Sequence, residues 1–244
     1  MHPTLSLTGL SRLAGPGPSL CAVCRRWTRG RLCGDCTARF APLVPRCLQC
    51  GLRLAAGTLR CGACLRDARA PVQRTLAAVD YGFPWDRLIT GFKFHHQLEL
   101  AGALARLIER AAQASPEELD VHLLLPVPLS QQRLRERGYN QAWELARRLG
   151  RWRGVEARAD TLLRLKDTAH QLGLAEAERA SNMRGAFLVD PRAAHRVQGR
   201  RIALVDDVVT SGATASEAAR ALLAAGAAQV QLWVVARTPP PDAN

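Results

Sequence analysis

The chain has 244 residues, 48% of them hydrophobic, and a formal net charge of +13. That is enough for one α/β domain of ordinary size and a small appendage. No apolar run approaches the ~20 residues of a membrane-spanning helix, and the opening MHPTLSLTGLSRLAGPGPSL lacks the basic and long apolar regions of a signal peptide. A cytoplasmic protein is the expectation, with residues 1–20 a loose Gly- and Pro-containing tail.

All eight cysteines fall in four C-x-x-C pairs: Cys21/Cys24, Cys33/Cys36, Cys47/Cys50 and Cys61/Cys64. Each pair can give two thiolates to one metal, so four pairs make two tetrahedral sites suited to Zn²⁺. Sequential pairing predicts two short zinc ribbons, Cys21–Cys36 and Cys47–Cys64, within a module spanning 21–70; an interleaved cross-brace is the alternative order. A disulfide framework would need an oxidising compartment. A redox pair would need one C-x-x-C at a helix start. Residues 1–74 hold twelve Arg and two Asp, so +10 of the +13 lies in this part. Two filled zinc sites would reduce that to about +6. The remainder suits nucleic acid, with Trp27 and Phe40 as stacking groups, or is a solvated face on a module that only docks.

Residues 75–237 read as the main domain. A first strand is expected within 72–83, followed by helix over 84–114 broken near Gly91. Val121–Val127 reads as a second strand ended by Pro126 and Pro128. A basic, Gly-containing loop with Arg133, Arg135, Arg137 and Gly138 follows, then an amphipathic helix after Asn140-Gln141. This loop is an anion-binding candidate. The polar stretch 164–187 reads as a lid or as a plain surface excursion, and 184–189 as a strand.

Ile202–Val205 is a buried parallel strand by composition, and Asp206-Asp207 are expected where it ends. Thr210-Ser211-Gly212-Ala213-Thr214 then forms a hydroxyl-rich turn into a helix over 213–225. Such a strand–turn–helix unit aims backbone N–H groups and the helix dipole at one spot, which suits a phosphate. The Walker lysine and the G-x-G-x-x-G fingerprint are both missing. Carboxylates beside a phosphate cradle suit vicinal sugar hydroxyls or a hydrated Mg²⁺, hence a sugar phosphate. A last strand is expected over 229–235, with 238–244 a C-terminal tail.

The order apolar strand, two acids, two apolar residues, Thr-Ser-Gly-x-Thr resembles the 5-phosphoribosyl-1-pyrophosphate (PRPP) motif of type I phosphoribosyltransferases. The stretches FKF at 92–94, LLPVPLSQQRLRERGYNQA at 124–142, Arg164 to Leu174, Arg179, Asn182, GAF at 185–187, LVDDVVTSGAT and VVART extend the likeness to the ComF family, of the ComFC/GntX type. The resemblance implies an α/β type I phosphoribosyltransferase fold, a parallel sheet flanked by helices, behind an N-terminal double zinc ribbon. It implies that Asp206 and Asp207 serve catalysis, and that Val205, Asp206, Asp207, Thr210, Ser211, Gly212, Ala213, Thr214 and Arg137 bind PRPP with Mg²⁺. It also implies a role in natural competence and incoming DNA, with single-stranded DNA and the uptake machinery as partners. Two other outcomes stay open: a salvage enzyme acting on free nucleobases, and a competence factor that binds PRPP without turnover. Ser211 stands where Thr is common, and His95-His96 follow FKF where small residues are frequent.

Overall fold

Uninterrupted aliphatic runs belong between two covered faces, and the runs around Val205 and Val234 form the middle of a five-stranded parallel sheet. The computed structural model describes residues 17–67, 70–115, 120–165 and 185–240. The first part contains β1 (Pro18–Leu20), β2 (Trp27–Arg29), α1 (Gly34–Phe40) and α2 (Gly62–Arg66). Then come β3 (Arg74–Asp80), α3 (Trp85–Phe94), α4 (Ala101–Gln113), β4 (Leu123–Pro126), α5 (Gln131–Arg137) and α6 (Gln141–Arg153). The chain continues through β5 (Glu156–Ala157), β6 (Leu162–Arg164), β7 (Phe187–Val189), β8 (Arg201–Val209), α7 (Ala213–Ala224) and β9 (Gln229–Arg237).

The sheet order is β3-β9-β8-β4-β5, and β6 and β7 form a separate antiparallel pair. Alternation along β8 sends Ala203 and Val205 to one face and Ile202 and Leu204 to the other. The first face packs under α3, α4 and α6, where Trp85, Phe92, Leu104, Leu145 and Leu149 are buried. The second packs under α7 and the β6–β7 pair.

Several expectations shift for physical reasons. The break in the 84–114 helix falls at 95–100, between α3 and α4, and not at Gly91. Gly91 lies inside α3, where a Cβ would come 2.5 Å from Gln97 Oε1, so its role is close approach. The loop expected around Arg133–Arg137 is the helix α5, capped by Ser130 Oγ and closed by Gly138 at φ +74°. The motif strand does not end before the acids: β8 runs to Val209, with Asp206 opposite Val234 and Val209 opposite Arg237. Phe187–Val189 pairs with β6 outside the main sheet. Residues 18–20, read as tail, pair with β2. Residues 1–16 and 241–244, and the 166–184 part of the lid reading, lie outside the described residues.

Both halves of the cysteine module dock on the domain. Trp85 Nε1 donates to Phe40 O at 2.8 Å, and Arg110 donates to Ala41 O at 2.6 Å. In the second half, Thr75 N–H donates to Leu48 O, extending the sheet edge beyond β3. Gly51, at φ +75°, lies so close to β3 that a Cβ would be 3.0 Å from Thr75 Cγ2.

Candidate functional site

The C-terminal edge of a parallel sheet collects loops and helix N-termini, and ligands bind there. Gly212, at φ +81°, turns the chain from β8 into α7 in a conformation other residues rarely adopt. Around it lies a recess lined by Asp206, Val208, Val209, Thr210, Ser211, Gly212, Ala213, Thr214, Ala215, Leu232 and Val234. Ser211 Oγ accepts from Ala213 N–H at 3.4 Å. Thr210 and Ser211 are exposed, leaving both hydroxyls at the mouth of the recess. The turn and one acid thus surround one volume.

The two acids face opposite sides of β8, as strand alternation requires. Asp206 faces the recess. Asp207 is buried on the other side, where its Oδ1 lies 3.0 Å from Lys93 Nζ at the end of α3. The Asp207 N–H donates to Asp206 Oδ1 at 2.8 Å. Burial and the neighbouring Asp207 push the Asp206 carboxyl up to about 8, against the pull of Lys93.

Arg137, at the end of α5, sits on this second side with its guanidinium 4.8 Å from the Phe94 ring centre. Burial draws it below the ordinary arginine value, while Asp207, and more weakly Asp206, draw it back. Among the described residues, Arg137 Nη1 and Asp207 Oδ2 are both buried without a hydrogen-bond partner. Tyr139 Oη donates to Phe92 O, linking the segment after α5 to α3. Val205 lies wholly in the core, its carbonyl accepting from Val127 N–H, and lends no side chain to the recess.

Lys93 is a candidate site residue that the sequence motifs do not single out. It stands in the quoted FKF stretch, and it is one of two lysines in a chain with 32 arginines. Its compact ammonium sets a point charge against Asp207, where a guanidinium would present a planar fork.

The cysteines gather as two sequential sets, Cys21/Cys24/Cys33/Cys36 and Cys47/Cys50/Cys61/Cys64. Within each, the ligand atoms lie within 4.8 Å of one another. The interleaved order is thereby excluded. Although burial opposes it, backbone N–H groups of Cys24, Cys33 and Val23 bring Cys21 down to about 6. Those of Cys61, Cys50 and Gln49 bring Cys47 to about 7 in the same way. Burial pushes Cys36 and Cys64 up. Four convergent sulfurs with one thiolate already favoured in each set fit a tetrahedral thiolate-bound metal.

A family described as phosphoribosyl transferase domain matches residues 136–241. The chain is 36% identical over 227 residues to DNA utilization protein YhgH of Salmonella typhimurium, covering 91% of this chain and 98% of the relative. It is 32% identical over 223 residues to Competence protein F of Haemophilus influenzae, covering 89% and 96%. It is 31% identical over 152 residues to Competence protein ComFC of Bacillus subtilis, covering 62% and 58%. No helix among the described residues is long and apolar enough to cross a membrane. With two four-cysteine clusters ahead of a parallel sheet that carries the phosphoribosyl transferase match, the chain belongs to the ComF family.

Proposed function

We propose that the chain is a cytoplasmic competence protein that binds PRPP with Mg²⁺ and uses it, if it turns over, by displacement of pyrophosphate from C1. The observation that carries this reading is the pair of buried, unpartnered polar atoms, Arg137 Nη1 and Asp207 Oδ2, on the face of β8 where Lys93 lies, with Asp207 in the strand end that leads into the Thr210–Thr214 turn. A buried guanidinium N–H without an acceptor costs free energy that a bound anion would recover. In this reading the turn and the N-terminus of α7 hold the 5-phosphate. Asp206 accepts from the ribose hydroxyls, and Arg137 and Lys93 face the pyrophosphate. Asp206, the acid on the recess, would hold a hydrated Mg²⁺ brought in with the ligand, and that cation would neutralise pyrophosphate charge. Such a site stabilises an oxocarbenium-like transition state by fixed charge. The two cysteine sets are taken to hold structural Zn²⁺.

Calorimetry with PRPP and Mg²⁺ tests the reading. Wild type is expected to bind, and Thr214→Val to bind roughly tenfold more weakly, the loss of one hydrogen bond to a charged group. The melting temperature should be unchanged. No heat with wild type at millimolar PRPP would overturn it.

A second observation favours single-stranded DNA as a partner. Phe83 is 61% exposed and meets Phe40 edge-on at 5.7 Å, with Arg87 and Arg39 each 5.3 Å from one of the two rings. The exposed Phe83 ring and the half-buried Phe40 ring, each flanked by a guanidinium where the basic module meets the main domain, offer stacking and phosphate contacts together. Trp27 is 77% exposed on the first ribbon. Anisotropy of a labelled oligothymidine is expected to show binding that weakens steeply with salt, and roughly tenfold weaker binding for Phe83→Ala. Absence of binding at low salt would end this reading. Pyrophosphate release with oligonucleotides or with free bases would separate a DNA-directed transferase from a salvage enzyme.

A further inference from the structure

Arg237 is the last residue of β9 and lies in register with Val209, the last residue of β8 before the phosphate turn. Its guanidinium reaches in two directions. Nη1 donates to Val209 O at 3.3 Å and to Thr238 O at 2.5 Å, while Nε donates to Cys50 O at 2.9 Å. Burial weakens its charged form, and the sulfurs of Cys50, Cys61, Cys64 and Cys47 support it. Thr238 N–H also donates to Val209 O. Within the turn itself the described hydrogen bonds are local: Ala213 N–H to Ser211 Oγ, and Ser216 N–H to Gly212 O. The entry to the turn is therefore held from β9 and, through one side chain, from the second cysteine set. The first set attaches elsewhere, through Phe40 and Ala41 to Trp85 and Arg110.

We propose that Arg237 is a positioning residue through which the second cysteine set, when metal-filled, fixes the phosphate turn; this rests on the PRPP reading above. A filled four-thiolate site carries about −2 and makes its loops rigid. Cys50 O is then a fixed acceptor and the nearby charge holds the guanidinium in place. Without metal the four sulfurs lose their common partner, Cys50 O is released, and Val209 O keeps only its backbone bond. The second ribbon thus belongs to the ligand site, and the first does not.

The test uses the full chain and three readouts: zinc content, hydrogen exchange of residues 209–214, and PRPP affinity. Arg237→Gln should keep two zinc ions, exchange these amides roughly tenfold faster and bind PRPP roughly tenfold more weakly. Arg237→Lys, with one reachable donor group, should fall between. Cys61→Ser should lose one zinc and reproduce the Arg237→Gln defects, and the double variant should be no worse than either single one. Cys24→Ser, in the first set, should lose one zinc and leave both other readouts as in wild type. Wild-type exchange at 209–214 in Arg237→Gln would overturn the link, and this arm stands even if a cysteine variant fails to fold. If wild type does not bind PRPP, the reading of the site falls, and exchange alone then judges the link.

Discussion

Lys93→Met is expected to lower the melting temperature by roughly 6–12 °C, the effect of about 3 kcal/mol in a domain of this size. It strands Asp207, which is 3% exposed as a side chain, without the ammonium 3.0 Å away. A buried carboxylate left unpaired is among the costliest single changes. Asp207→Asn should cost less, because Lys93 is 21% exposed and can turn its ammonium toward water. The double variant Lys93→Met/Asp207→Asn should recover much of the loss, since it removes both charges together. In Asp207→Asn the lysine also loses its fixed position, so PRPP should bind at least tenfold more weakly while the protein stays folded. Thermal unfolding and calorimetry on the four proteins of this cycle decide the matter. Additive losses would mean that the ion pair contributes nothing of its own. Unchanged PRPP affinity in folded Asp207→Asn would remove Asp207 from the site.

That pair also shows where the sequence stops being informative. Lys93 and Asp207 meet only because the fold brings the end of α3 against β8, a tertiary fact that no local pattern encodes. The strand–turn–helix unit is legible because its signals are local: Gly212 needs a positive φ, and the hydroxyls stand within five residues of one another. The two cysteine clusters are legible for the same reason, since C-x-x-C spacing constrains which sulfurs can converge, and the sequential grouping follows. The sequence places the end of β8 too early because two adjacent acids ordinarily close a strand. Here β9 pairs with both sides of them and Lys93 neutralises one, so the strand continues. α5 looks like a loop in the sequence because none of its residues is buried and it has no apolar period to detect. Its signals were the Ser130 cap and Gly138 at its end. Arg237 stood in plain view in VVART, yet its partners lie 28 and 187 residues away in sequence.

Asp206 should give the protein an inverted pH dependence. An unfolded aspartate titrates near 3.9, whereas the folded carboxyl is pushed up to about 8 by burial and by Asp207. Between those values the folded state holds a proton that the unfolded state has released. Stability from this group is therefore full below about pH 4 and is lost as pH rises toward 8, by at most about 1.4 kcal/mol per pH unit. Denaturant unfolding at pH 5 and pH 7.5 should show wild type losing more stability over this interval than Asp206→Asn, which carries no titrating group there. The variant should match or exceed wild type at pH 7.5. Binding runs the other way. A ligand hydroxyl or hydrated cation engages the ionised carboxylate, so PRPP with Mg²⁺ should expel the proton, and affinity should rise from pH 6.5 to 8. Calorimetry in buffers of different ionisation enthalpy counts that proton. A wild-type release matching that of Asp206→Asn would assign it to the ligand's own phosphates and would leave Asp206 without a part in binding.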